Sequence, residues 1–314
     1  MISVRNFLST KNMRDAFIKT LEKKASKNKN IFFITGDLGY SVIENYQAKF
    51  PNQFLNVGIA EQNMTGIAAG LASTGKSVFT YSIANFPILR ALEQIRNNIC
   101  YHNLNVKIIS VGAGFHYGIL ASTHHATEDL AIMRALPNMV VLAPADPVET
   151  KLATEAMIKY NGPCYMRIGK SPIIHKTNPN FKIGKAIVIQ QGNDITLVST
   201  GGMLSQTMEI AKLLKKENVN AKVISMHTIK PLDINIIKNA IKETKAIFTI
   251  EEHSIIGGLG SAVAEVIAEN NINTKFKRIG VDDTFSKYIG DQEFLKEKHG
   301  LSNKDIIKTI KKLM

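Results

Sequence analysis

Short apolar runs alternate with stretches of helical period along nearly the whole chain, and this alternation limits the fold more than any other feature. Residues Ile31–Thr35, 55–59, 77–81, Val106–Val111, 140–143 and 165–168 are apolar or β-branched runs of strand length. Between them lie stretches with apolar residues three and four apart. Met13–Ala25 puts Ala16, Phe17, Thr20 and Leu21 on one face, and 89–101 does the same with Leu92, Ile95, Arg96 and Ile99. Residues 127–136 form a helix closed by Pro137, and 147–160 one that starts after Asp146 with Pro147 at its first position. The rhythm stops over 170–185, which holds Pro172 and Pro179 and no period. It then restarts. Residues 195–199, 222–225, 246–250 and 276–280 read as strands, and 204–217, 234–243 and 260–270 as helices between them.

Strands alternating with helices call for parallel sheets covered on their faces. The expected fold class is therefore α/β with two domains, each a mostly parallel sheet flanked by helices: 1–172, a linker at 173–185, and 186–314. No sequence repeat relates the halves. A length of 314 residues suits two domains, and a 45% apolar content is ample for their cores.

Other bulk properties narrow the partners. No apolar run approaches the roughly 18 residues of a membrane span, and the polar, mixed start at 1–11 does not read as a leader. Cys100 and Cys164 cannot make a disulfide framework and lack metal-ligand spacing. They read as reduced thiols of a cytoplasmic protein with no membrane partner and no metal ligands of its own. The net charge of +13 is spread over scattered lysines, clustered only at Lys23, Lys24, Lys27 and Lys29. No aromatic interleaving or nucleic-acid motif accompanies them, so no nucleic-acid partner is expected. The charge reads as solvated faces with some attraction for anionic metabolites.

The stretch from Asn56 to Ser73, NVGIAEQNMTGIAAGLAS, concentrates the chemistry. An apolar run ends near Gly58, Glu61 falls in the first turn of a helix, and Met64, Ile67, Ala68 and Leu71 form one buried face. Gly66 and Gly70 permit close approach of another segment. Glu61 either complements the helix dipole or is a carboxylate aimed out of an apolar niche, where burial tends to raise its pKa.

Together with the residues after it, this stretch resembles the pyrimidine-binding domain of transketolases and related thiamine diphosphate enzymes. The resemblance runs from about Met13 to about Gly169 and resumes in the C-terminal part. It implies that Glu61 touches the cofactor's aminopyrimidine ring and promotes its imino form, a role needing a dry hydrogen bond. Ser82-Ile-Ala-Asn-Phe86 matches the segment where the family stacks a phenylalanine. Phe86 is thus expected to face the ring, the alternative being a core aromatic. Ile83 and Ala84 stand where a second aromatic is common, so Ile83 lines a looser slot. Asp37, in Gly36-Asp37-Leu38, matches an acid near the cofactor, or is simply a turn residue.

The segment from Ser122 to Asn138, STHHATEDLAIMRALPN, resembles the one in which a histidine faces the reacting sugar carbons. That histidine is His124, expected to donate to a substrate oxygen or relay a proton. His125 replaces a glutamine, and His116 lies close by in sequence. Leu120 stands where the family reads a sugar hydroxyl with an acid, which implies a different hydroxyl selection. Arg14, Ser41 and Arg167 match the phosphate clamp, where guanidinium groups suit phosphate oxygens.

Residues 251–265, EEHSIIGGLGSAVAE, resemble the family's C-terminal domain. The turn at Gly257, Gly258 and Gly260 can hold an anion, and no catalytic residue is expected there. A G-D-G element followed by asparagines, the mark of the domain that grips the diphosphate through Mg2+, is not found. The resemblance therefore implies the C-terminal subunit of a split transketolase. It would transfer a two-carbon ketol unit between a ketose and an aldose, most readily as sugar phosphates. It would need an N-terminal diphosphate-binding subunit that holds most of the Mg2+ ligands, and would self-associate into a heterotetramer. The alternative is the beta subunit of another thiamine diphosphate enzyme, of the 2-oxo acid dehydrogenase or deoxyxylulose phosphate synthase type.

Overall fold

The strands whose residues are all buried set the architecture. In β4 (Val106–Val111) and β6 (Cys164–Ile168) every residue is buried, so both sit mid-sheet with helices on both faces. The computed structural model describes residues 12–314; the polar start at 1–11, read as no leader, lies outside the described residues. Around β4 and β6 lie β1 (Ile31–Thr35), β2 (Phe54–Asn56), β3 (Ser77–Ile83) and β5 (Val140–Leu142). Their order in the seven-stranded sheet is β2-β1-β3-β4-β6-β5, all parallel, with one more strand at the far edge.

Helices α1 (Met13–Ala25) and α7 (Pro147–Lys159) cover one face, with Phe17, Leu21, Ala153 and Met157 packed on Phe79, Ile109 and Met166. Each starts on a side-chain cap: Asn12 accepts from the Asp15 amide at 2.8 Å, and Asp146 from the Glu149 amide at 2.8 Å. α2 (Glu44–Lys49) is a short helix beyond β1. On the opposite face, α3 (Glu61–Ser73) and α6 (Asp129–Ala135) join a core with Ile34, Val78 and Ile108.

The expected helix at 89–101 is broken. Pro87 starts a short helix early, as α4 (Phe86–Leu89), and a second turn follows as α5 (Leu92–Gln94). The break falls at Ala91, fully buried at φ −122°, and the chain continues as a π-helical turn over Ile95–Cys100. The expected strand at 55–59 ends at Asn56, whose side-chain oxygen accepts the amides of Asp37 and Gly58 at 3.0 Å each and turns the chain. The helix expected from 127 begins at Asp129, because the Thr127 carbonyl accepts the Ser254 amide at 2.7 Å.

The second sheet has the order β12-β11-β8-β9-β7, formed by β7 (Ile187–Gln190), β8 (Ile195–Ser199), β9 (Ala221–Ser225), β11 (Ala246–Ser254) and β12 (Lys275–Val281). It is parallel except for β7. Helices α8 (Met203–Lys215), α9 (Ile234–Glu243), α10 (Leu259–Glu269), α11 (Gln292–Lys298) and α12 (Asn303–Leu313) surround it.

The remaining strand, β10 (Thr228–Lys230), leaves this unit and pairs antiparallel with β5, Thr228 against Leu142 and Lys230 against Val141. A three-residue strand has no readable period, and sequence analysis did not find it. The two units therefore share hydrogen bonds and one hydrophobic cluster, in which Met133 and Val141 meet Met226, Ile237 and Val263. The linker is docked as well. Asp146 accepts the amides of Ile174 and His175 at 2.8 and 2.9 Å, and the His175 ring meets Glu149 at 2.9 Å.

Candidate active site

β1, β3, β4 and β6 all point one way, so the loops after Thr35, Ile83, Val111 and Ile168 gather at one edge of the first sheet. That is the edge where open parallel sheets bind ligands. Several residues there hold a left-handed backbone without being glycine: Asp37 (φ 60°), Ser41 (φ 65°), Ala84 (φ 45°) and Ala121 (φ 64°, ψ −171°). Ala121 directly precedes the short turn carrying His124, and it lies in a region that side chains seldom occupy. Strain of this kind collects where loops are shaped for binding.

Glu61 opens α3 and is 3% exposed. One carboxylate oxygen lies 3.5 Å from the Ser82 hydroxyl at the end of β3, and the other accepts from Arg90 Nη1 at 3.1 Å. The Arg90 guanidinium in turn lies over the Phe86 ring, 4.0 Å from its centroid. The His124 imidazole meets the same ring edge-on at 5.0 Å, and the Thr123 hydroxyl is 3.0 Å from its Nδ1. Glu61, Arg90, Phe86 and His124 thus form one connected set, with half-buried Ile83 at the strand end beside it. Asp37 is locked to Asn56 by a reciprocal pair of hydrogen bonds, 2.9 and 3.0 Å, and so braces the loop that delivers Glu61.

A second group gathers cations. Burial raises the pKa of the Tyr81 hydroxyl, and the nearby charge of Arg14, in the first turn of α1, partly offsets that rise. The charges of Arg14 and Lys170 both reach His116, whose ring is held down to about 4 by burial first and then by these two cations. His116 Nδ1 is buried with no hydrogen-bond partner. Ser41 is exposed, with its amide donating to Glu44 at 2.6 Å. His125 is buried, its pKa lowered chiefly by burial, and its Nε2 is also without a partner. It borders a cleft of about 290 Å³ reaching Ser122, Phe285 and Ser286.

Arg167 lies at the junction of the two units. It is 6% exposed, with Nη1 donating to Asp129 at 2.9 Å and Nη2 to the Glu252 carbonyl. Two of the five guanidinium N–H groups are thus taken up at the junction between the two units, and the same side chain lines a small pocket there with Gly169 and Lys170. Lys170, three residues on and exposed just past the same strand end, is a second cation, after Arg14, whose charge reaches His116. Sequence analysis missed it and missed Arg90. Each was a single basic residue among 39, and only position sets them apart. The glycine turn at 257–260 is filled by a carboxyl group from within the chain: Glu251 accepts the Leu259 and Gly260 amides at 2.7 Å each, and burial pushes its pKa up to about 7.

The family model for the transketolase pyrimidine binding domain matches residues 9–173, and that for the transketolase C-terminal domain matches residues 184–306. A Methanocaldococcus jannaschii chain provisionally assigned as a transketolase C-terminal section is 42% identical over 305 residues, which cover 96% of this chain and 95% of that one. A 6-deoxy-6-sulfo-D-fructose transketolase subunit of a Clostridium species is 35% identical over 299 residues, 94% of this chain and 92% of that one. Among solved structures, a split-gene transketolase described as an inactive beta4 tetramer matches with a TM-score of 0.89 at 39% identity, covering 96% of this chain and 98% of that one.

Proposed function

The chain belongs to the transketolase family, and on that premise we propose that it is the pyrimidine-binding subunit of a split, thiamine diphosphate-dependent transketolase that moves a two-carbon ketol unit between anionic sugars. The observation that carries this reading is the pairing of a buried carboxylate with a phenyl face, spanned by one flat N–H donor. A groove that accepts a guanidinium in this way fits an aminopyrimidine ring, which needs the same acceptor and the same stacking face. Glu61 would hold the ring through a nitrogen and share a proton with it. Phe86 would stack on it, Ile83 would line the slot, and Asp37 would fix the Glu61 loop. When bound, thiamine diphosphate supplies a nucleophilic carbon able to break and make carbon–carbon bonds beside a carbonyl.

The substrate end is built from the remaining groups. His124, edge-on to Phe86, would move a proton at a sugar oxygen. Arg14, Lys170 and His116 would receive the anionic terminus of the sugar, with Ser41 and His125 at its margins. A relative whose substrate name carries a sulfonate supports an anionic terminus as such, rather than phosphate alone.

A partner would supply the grip on the diphosphate and Mg2+. The loops that carry the site also carry Tyr40, Ile59 and Ile119, each at least 69% exposed, and apolar groups so placed support a covering subunit. Two such pairs would form a heterotetramer. Free, buried thiols at Cys100 and Cys164 suit the reducing cytoplasm.

The test mixes this chain with a diphosphate-binding subunit, thiamine diphosphate and Mg2+, and follows transfer from a ketose phosphate to an aldose phosphate. Glu61→Gln should lower turnover by roughly 100-fold or more. Lys170→Ala and Arg14→Ala should raise KM for charged acceptors while leaving uncharged ones nearly unaffected. Full turnover by this chain alone, or by the Glu61→Gln assembly, would refute the reading.

A further inference from the structure

Arg90 belongs to none of the roles above, yet it makes the two contacts that define the ring site. Its Nη1 lies 3.1 Å from Glu61 Oε2 and its Cζ 4.0 Å from the Phe86 centroid. The guanidinium is flat, delocalised and donates N–H bonds in its own plane. An aminopyrimidine on Phe86 and against Glu61 must also be flat, stacked and hydrogen-bonded to the carboxylate. The two cannot share one face of one ring and one carboxylate oxygen. Arg90 is also the member of the set that can leave. Its side chain is 48% exposed, whereas Glu61 is 3% exposed and pinned at the start of α3. It sits at the break between α4 and α5, at the end of a four-residue helix.

We infer that Arg90 is an internal stand-in for the cofactor ring: in the free subunit it neutralises Glu61 and covers Phe86, and the aminopyrimidine must displace it to bind. This rests on the assignment of Glu61 and Phe86 to that ring. The device has two consequences. A buried carboxylate and an aromatic face are kept satisfied before assembly, which a lone ionised Glu61 would not be. Cofactor affinity is also set by a competition within the chain, so Arg90 weakens binding instead of contributing to it. An ion pair exposed at its guanidinium end, together with a cation–π contact, sets the scale of that competition at roughly 3- to 30-fold.

The experiment uses the full chain and the probe 4-amino-5-hydroxymethyl-2-methylpyrimidine, which has no diphosphate and so does not depend on a partner. Binding is read by calorimetry and ligand-observed NMR for the native chain, Arg90→Ala, Arg90→Lys and Glu61→Gln, each checked for native circular dichroism. The expected result is roughly 3- to 30-fold tighter binding by Arg90→Ala, with Arg90→Lys between it and the native chain because it keeps charge but not the flat stack. Added methylguanidinium should compete with the probe in Arg90→Ala. Unchanged or weaker binding in Arg90→Ala, or none at the probe's solubility limit, overturns the inference while leaving Glu61's role standing, provided Glu61→Gln reduces binding in the native or Arg90→Ala background. Unreduced binding in Glu61→Gln overturns both.

Discussion

Replacing Arg167 with methionine tests whether that residue holds the two units together or meets substrate. The substitution leaves Asp129, which is 0% exposed, without its cation. The carboxylate then keeps only the Tyr165 hydroxyl at 2.6 Å and the His253 ring at 4.0 Å, and burial has pushed that ring's pKa down to about 4, so it is neutral at pH 7. The Glu252 carbonyl loses its donor as well. Both members of the pair are shielded from water, so solvent screening does not discount the loss. Removing one partner of a buried ion pair costs about 3–5 kcal/mol. For a cooperative unit of this size that is a fall in Tm of about 6–10 °C, at roughly 2 °C per kcal/mol. Scanning calorimetry at pH 7 reads it directly. The double variant Arg167→Met with Asp129→Leu should recover most of the loss, because no orphaned charge remains. A single variant that melts within about 2 °C of the native chain, yet binds sugar phosphate poorly, would refute the structural role and support Arg167 as a member of the substrate clamp.

Two further outcomes are expected at the same junction. Gly114, at φ +55°, lies where an added Cβ would stand 2.5 Å from the Glu252 side chain, itself held by the Phe115 amide at 2.7 Å and by Gln292. Gly114→Ala should therefore cost between about 1 and 3 kcal/mol in urea unfolding, and a neutral result would mean that this contact yields freely. His175 reports on the docked linker. Burial alone would depress its pKa, but the hydrogen bond and charge of Glu149 outweigh burial, and the net shift is upward. Its contribution is thus complete below the unfolded-state value, about 6.5, and is lost as pH rises through the higher folded value. The stability difference between the native chain and His175→Gln should shrink over that rise; a constant difference from pH 6 to pH 9 would show that the imidazolium is not what Glu149 holds.

Much of the candidate site was legible as sequence because it depends on local order. The Glu61 niche is set by a glycine turn, a carboxylate and an apolar helical face in succession, and burial of that residue at the head of α3 comes from the same pattern. Phe86 and His124 were named separately, and the structure brings their rings to 5.0 Å. Arg167 and Lys170 show the opposite case. Both are basic residues at one strand end, and nothing in their order tells which is consumed inside and which is left outside. The difference is the pleat and the chain turn after β6, which bury one against Asp129 and leave the other exposed.

By itself, then, the order of residues determined the elements that repeat: buried strands, one-sided helices, the α/β rhythm and the carboxylate at a helix start. Those patterns arise from backbone geometry over a few neighbours, so they survive without knowledge of the rest of the chain. Tertiary structure alone decided that Glu61 meets Arg90 across 29 residues, that Arg167 reaches the Glu252 carbonyl across 85, and that β10 completes the other unit's sheet. In each case several basic or apolar residues were chemically equivalent as partners. Only closure of the loops and exclusion of water selected one, because the energy of such a pair depends on its distance and burial, and neither is a property of sequence position.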